Sequence, residues 1–242
     1  MAPTILREDE RAVWFLLDRP DKRNALSPAV SAALDEALTT HHRTPKPFVV
    51  ASAVPGMFVS GTDIAALKER TVEDSLGRLN SDLFQRLEEH PWPTVAVVDG
   101  YALGGGCELA LACDLRVTTP RAKWGLPEVR LGLVPSGGGL WRLPRLVGWD
   151  VATDLILTGR RIDGEEAHRL RLASRLAEPE GLDQAVDDLL GELTAPAPGA
   201  QRLAKEAMRV APDHRRLVDA LAQAVCSGGE EAQDRLAAFL SR

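Results

Sequence analysis

The chain has no hydrophobic run that approaches the roughly 18 uninterrupted apolar residues a membrane-spanning helix needs. It also lacks a basic start followed by a long apolar stretch. "MAPTILREDERAVWFLLDRP" puts its charges before a short apolar run, which is not the pattern of a signal peptide. Cysteine is scarce: Cys107, Cys113 and Cys226 are odd in number and have no C-x-x-C spacing. They sit in apolar helical contexts, as reduced, buried thiols do, so a cytoplasmic protein with no membrane partner is expected. The five histidines, His41, His42, His90, His168 and His214, are scattered over polar surroundings without an i, i+4 pair, and no metal site is assigned. Low-complexity tracts and long runs of one charge are absent as well. A net charge of -6 and a pI near 5.5 argue against a nucleic-acid partner, while leaving room for a local basic patch around a phosphorylated ligand.

What is present is ordinary for a globular chain of 242 residues, 45% hydrophobic and 26% charged, long enough to bury a substantial core. "AVWFLLD" and "KPFVVASAV" read as strands. Between them Ser27 caps a helix that has Pro28 as its first residue and runs to about His41. A short helix is expected from about Asp63 to Lys68. Leu76, Leu79, Leu83 and Leu87 repeat at helical spacing, which predicts a helix over 75–89 with one face on a core. "TVAVVDG" is a fully apolar, β-branched strand of the kind covered on both faces; a helix of about ten residues and the strand "LRVTT" follow. This alternation predicts βαβ-type units and largely parallel pairing, hence an α/β protein. Beyond Gly132 the pattern is almost entirely helical, with caps and stops at Asp150, Gly159, Asp163 and Gly164. The proline-rich "TAPAPGA" separates a core over 1–193 from a helical carboxyl-terminal region over 194–242.

The stretch "GYALGGGCELALACD" is the candidate for chemistry, although its glycines would equally serve close packing of a helix on a sheet and Glu108 the support of the helix end. The first four N–H groups of a helix have no internal partner, and glycine keeps side chains from blocking them. An N–H near Gly105 can therefore donate to an oxygen that gains negative charge. Glu108, one turn inside the same helix, is expected to be ionised by the helix dipole and to act as a base. A dinucleotide site would need G-x-G-x-x-G; Gly104, Gly105 and Gly106 do not supply it, and a carboxylate so close would repel a pyrophosphate. A second carboxylate, Glu128, sits in "KWGLPEVRLGLVPSGGG" among Leu126, Pro127 and Val129. If buried without a cation it holds a proton at neutral pH, unless Arg130 folds back onto it. Two carboxylates in unlike settings suit hydration of a polarised double bond, one activating water while the other supplies a proton.

With "RPDKRNALS", "FVSGTDI", "GYALGGGCELALACD", "GLPEVRLGLVPSGGG", "RLPRLVG" and "LTGRRID" in that order, the chain resembles the enoyl-CoA hydratase/isomerase (crotonase) superfamily over roughly residues 5 to 240. The resemblance implies a crotonase-like spiral of ββα turns whose helical carboxyl-terminal region serves assembly and covers the site. It also implies a homotrimer or dimer of trimers, an acyl-CoA thioester as partner, and no cofactor beyond the coenzyme A that is part of the substrate. By the same resemblance the N–H groups of Thr62 and Gly105 form the oxyanion hole, and Glu108 and Glu128 are the catalytic glutamates. Arg23 meets the coenzyme phosphates, Thr62, Asp63, Ile64 and Ala65 line the adenine and pantetheine, and the Ser136 N–H holds water.

This chain departs from the family pattern in three places. Thr62 brings a β-branched side chain to a position often held by alanine or glycine, Ser136 stands where glycine is common, and Leu140 and Trp141 replace a Thr-Gln pair. Trp141 reads as packing, and Leu67, Leu103, Leu126 and Trp141 as the dispersed wall of an acyl pocket. The resemblance implies a 2-enoyl-CoA hydratase. A 3-enoyl-CoA/2-enoyl-CoA isomerase and a non-catalytic acyl-CoA-binding homologue stand as alternatives.

Overall fold

An apolar strand without polar alternation needs cover on both faces, and Thr94–Val98 receives it. In the computed structural model, which describes residues 3–63, 68, 71, 73, 77, 79–210, 215–227 and 229–241, this strand is β4, buried at every position. Ala96 and Val98 face the larger core together with Phe15, Phe48 and Val50. Val95 and Val97 face a smaller core with Val49, Val117 and Leu189 on the opposite side. Full burial of such a side chain is worth roughly 1.5–3 kcal/mol, so both layers hold the strand in place.

The main sheet has the order β1-β2-β3-β4-β6-β9, with β1 Thr4–Glu8, β2 Val13–Leu17, β3 Phe48–Ser52, β6 Leu115–Thr118 and β9 Arg175–Leu176. Only β1, at the edge, is antiparallel to its neighbour; the other pairs are parallel. A second sheet has the order β5-β7-β8, made from β5 Tyr101–Leu103, β7 Lys123–Gly125 and β8 Ile162–Asp163. Two successive turns of the chain send one strand into the large sheet and a short one into the small sheet before a helix: β4, β5 and α3 Gly105–Leu111, then β6, β7 and the helix that starts at Gly139. The corner between β4 and β5 is tight: Gly100 has φ +148°, and a Cβ there would lie 2.5 Å from the Gly56 carbonyl. Asp99 fixes it by accepting from the Gly56 N–H, the Thr119 hydroxyl and the Arg121 guanidinium.

The other helices are α1 Pro28–Thr40, α2 Leu79–Glu88, α4 Gly139–Val147, α5 Trp149–Thr158, α6 Gly164–Arg169, α7 Leu182–Thr194, α8 Pro198–Met208, α9 Arg215–Ser227 and α10 Glu230–Leu240. Ser27 caps α1 through the Val30 N–H, with Pro28 leading the helix, and Asp163 caps α6 through the Glu166 N–H. Asp150 is not a cap: α5 starts one residue earlier, after Gly148 at φ +83°. In α2 the buried face is Leu83, Phe84 and Leu87, whereas Leu79 is exposed; Leu76 lies outside the described residues. Most of the expected helix at Asp63–Lys68 falls outside them too.

The carboxyl-terminal helices join the rest through α8. There the buried Lys205 donates to the Trp92 carbonyl at 2.8 Å and pairs with Asp114 at 2.5 Å. Cys107 and Cys113 are buried and Cys226 is half-buried, all three without a disulfide. His90 is buried rather than in polar surroundings, and burial drives its pKa down to about 4. Among the described residues no helix is long and apolar enough to cross a membrane, and no group of three or more His, Cys, Asp and Glu side chains is placed to hold a metal ion.

Candidate active site

The site forms where β5 turns into α3. Gly104 takes φ +52° and ψ -124°, a combination open to glycine. Its N–H donates to the Gly125 carbonyl at 2.9 Å, and its carbonyl receives the Glu108 N–H at 2.9 Å. The next residue, Gly105, is the first of the helix, so its N–H has no acceptor one turn back. A side chain at Gly106 would overlap the Val59 carbonyl, so bare backbone lets α3 start this close to the neighbouring segment.

Thr62 arrives from the other side. It bridges Leu26 in parallel, and the two bonds of that bridge run from the Leu26 N–H to the Gly61 carbonyl and from the Asp63 N–H to the Leu26 carbonyl. Both use the neighbours of Thr62, so its own N–H points the opposite way, as parallel pairing requires. A Cβ on Gly105 would lie 2.7 Å from the Thr62 hydroxyl oxygen and 3.6 Å from its amide nitrogen. Two amides, neither with an acceptor among the described residues, thus lie close to one another at this corner.

Glu108 is 4% exposed. Its Oε1 accepts from the Gly137 N–H at 2.7 Å and the Gly139 N–H at 2.9 Å. Burial raises its pKa, and the amides of 137–139 and the nearby Arg142 charge only partly offset that. This corrects the expectation of a carboxylate governed by its own helix terminus: α3 is only 7 residues long, and the stabilising N–H groups come from a loop far along the chain.

Glu128 rides a 3₁₀ turn over Pro127–Leu131. Its Oε1 stands 3.1 Å from where a Cβ on Gly104 would be, and its Oε2 is buried without a hydrogen-bond partner. Burial, reinforced by the charge of Glu108, pushes its pKa up to about 7. Arg130 does not cancel this effect, because its Nε donates to the Thr158 carbonyl at 3.2 Å. Burial thus raises the pKa of both acids, not of Glu128 alone as the sequence suggested; what distinguishes them is that Glu108 accepts two amide hydrogen bonds while Glu128 Oε2 accepts none.

Thr62, Gly105, Glu108, Glu128 and Ser136 all line one cavity of about 400 Å³. Leu103, Leu131, Leu133 and Val134 give it an apolar wall, with Asn80 and Arg161 also at its surface. Of the residues expected in the acyl pocket, Leu103 is present. Leu126 is buried in the core beneath Gly139, and Leu67 lies outside the described residues. Trp141 is 42% exposed and stacks under the Arg142 guanidinium, 4.9 Å from the ring centroid, which corrects its reading as packing. Arg23 is exposed in left-handed backbone and does not line the cavity, though its carbonyl accepts the Ser60 N–H at 3.2 Å beside it. Asp63 borders the site through the Leu26 bridge; Ile64 and Ala65 lie outside the described residues. Sequence reasoning missed the amides of Gly137 and Gly139 and the arginines at 142 and 161. The glycine run in "PSGGG" was the available signal for the first pair.

The family model for enoyl-CoA hydratase/isomerase matches residues 9–227. A crotonyl-CoA hydratase of Syntrophomonas wolfei is 33% identical over 98% of this chain and 95% of its own length. A short-chain-enoyl-CoA hydratase of Clostridium acetobutylicum is 33% identical over 98% and 94%. The crystal structure of an enoyl-CoA hydratase from Bacillus anthracis superposes with a TM-score of 0.93 at 29% identity, covering 99% of this chain and 96% of that one. The chain belongs to the enoyl-CoA hydratase/isomerase family, and its fold is the crotonase-like ββα spiral.

Proposed function

We propose that the protein is an enoyl-CoA hydratase that adds water across the 2,3 double bond of a 2-enoyl-CoA thioester. The observation that carries this reading is one cavity in which two unpaired amides meet two carboxyls in unlike settings, one held by two amides and one with a bare oxygen. The Thr62 and Gly105 N–H groups hold the thioester oxygen and stabilise the negative charge it gains as the β-carbon is attacked. Glu108, whose Oε1 is held by two amides that favour its anion against the cost of burial, takes a proton from the attacking water. Glu128, protonated up to about pH 7, delivers its proton to the α-carbon. Ser136 offers its N–H to the water, and the wall of Leu103, Leu131, Leu133 and Val134 takes the acyl chain.

The coenzyme extends past Thr62 and Asp63 along Ile64 and Ala65, with Arg23 toward its phosphates; no other cofactor takes part. A homotrimer or a dimer of trimers fits the exposed rim, where Leu131 and Val134 are 66% and 60% accessible in the single chain. The helical region over 194–242 serves assembly and covers the site.

The test is incubation with crotonyl-CoA and longer 2-enoyl-CoA thioesters, following loss of the enone absorbance and formation of the 3-hydroxyacyl product. Conversion of a 3-enoyl-CoA with solvent deuterium uptake but no hydration would replace this reading with an isomerase. Tight binding without any product would replace it with a binding protein.

A further inference from the structure

The two amides that hold Glu108 belong to a glycine loop, and glycine backbone has the widest freedom of any residue. Something must fix that loop before it can fix the carboxylate. The structure places Arg142 there, one turn inside α4 and 3% exposed. Its Nη1 donates to the Gly137 carbonyl at 2.9 Å, so Gly137 is pinned at both ends, by Glu108 on its N–H and by Arg142 on its C=O. Gly138, at φ +111°, completes the turn, and any side chain there would overlap the guanidinium. Arg142 is anchored in turn by α2: its Nε donates to Glu88 Oε2 at 2.8 Å and its Nη2 to Gln85 Oε1 at 3.2 Å. Arg145 lies 3.6 Å from the other Glu88 oxygen.

We propose that Arg142 is a positioning residue for hydration: through Gly137 it keeps two loop amides on Oε1 of Glu108 and leaves Oε2 available to the attacking water. The inference rests on the hydratase reading of the site. A guanidinium suits this task because its planar fork reaches a carbonyl, a carboxylate and an amide oxygen at fixed angles, which an ammonium cannot do. It also sets a positive charge behind a buried carboxylate. The other groups around Glu108 are Glu128 across the cavity and the buried Cys107 thiol on its own helix, and the first of these opposes ionisation.

The experiment compares Arg142→Met and Arg142→Lys with the wild type. The readouts are kcat and KM on an enoyl-CoA across pH and a carbon-13 NMR titration of the glutamate carboxyls, assigned with Glu108→Gln. For Arg142→Met, kcat is expected to fall by roughly 10–100-fold while KM changes by less than about threefold, since displaced catalytic groups cost rate more than binding. Loss of the amides and of the positive charge raises the pKa of Glu108. The acid limb of kcat and the Glu108 titration therefore move up by about 0.5–1 pH unit. Arg142→Lys keeps the charge without the fork and is expected between the two; it also serves if the methionine variant does not fold. Variants whose folded fraction keeps the wild-type rate and the wild-type Glu108 titration would overturn the proposal, even if they melt earlier. The wild-type rate tests the hydratase reading separately, and the NMR titration is read without turnover.

Discussion

Replacing Glu128 with glutamine should make the protein more stable, and only on the alkaline side. In the folded chain the Glu128 carboxyl titrates at about 7 instead of an ordinary 4.5, because burial and the neighbouring Glu108 charge disfavour its anion. At about 1.36 kcal/mol per pH unit, that difference corresponds to at most about 3.4 kcal/mol. Because Glu128 is not fully buried, solvent screening brings the expected effect to roughly 1–3 kcal/mol. The sign follows from proton counting. Between pH 4.5 and about 7 the unfolded chain has released this proton and the folded chain still holds it, so stability falls as pH rises through that window and stays low above it. Glutamine is neutral throughout and removes that slope.

Urea unfolding at fixed protein concentration, at about pH 5 and about pH 8, measures the effect. The variant should match the wild type at the lower pH within about 0.5 kcal/mol, because a protonated glutamate and a glutamine have nearly the same shape. At the higher pH it should be more stable by roughly 1–3 kcal/mol. A variant equally stable or equally unstable relative to the wild type at both values would refute the claim that Glu128 is protonated in the native state. The same group should set the alkaline limb of wild-type kcat near pH 7, and the general-acid role would fall with it.

Glu108→Gln retains an oxygen for the Gly137 and Gly139 amides but cannot take a proton, so hydration of crotonyl-CoA should drop by about 10²–10⁴-fold, while the melting temperature at neutral pH should not fall, because a neutral side chain removes the burial cost that raises the Glu108 pKa. Gly105→Ala leaves the N–H in place yet puts a methyl 2.7 Å from the Thr62 hydroxyl, and a loss of roughly 10²-fold in kcat is expected from the disturbed hole. Combining it with Thr62→Ala removes that contact and should restore at least about tenfold of the lost rate. Steady-state kinetics on the single and double variants check both, and no recovery in the double variant would place the damage outside the hole.

The layers of the fold were legible because they depend on local patterning. Thr94–Val98 reads as a strand covered twice, and it is buried at every residue; Ser27 and Pro28 read as a helix start and cap one. The edge strand Thr4–Glu8 was missed because all but one of its positions are exposed, so its residues carry no core-facing signal. Strands of 2–3 residues such as β5, β7, β8 and β9 are too short for a period of two to register. At the site, the Gly104–Gly106 run and both glutamates were visible as residue types in context. The clamp on Glu108 was not, since its donors lie 29 and 31 residues further along the chain. Nor was the turning of Arg130 toward Thr158, a rotamer choice that leaves Glu128 without a counter-ion among the described residues.

The site solves one physical problem twice. Buried negative charge is costly unless donors are already in place, and the proposed reaction needs two such charges, a lasting one on Glu108 and a transient one on the thioester oxygen. In the proposed reaction each would be met by main-chain N–H groups where glycine lets the backbone come close: Gly137 and Gly139, which already bond the carboxyl, and the unpaired amides of Gly105 and Thr62 for the oxyanion. Glu128 receives no such pair, and its Oε2 is left bare. A charge on Glu108 raises its pKa further, so in the proposed mechanism the clamp that favours Glu108 as the base also favours Glu128 as the acid. The two carboxyls then titrate as a coupled pair, and a change to the loop at 137–139 should move both limbs of the pH profile even though it touches only one of them.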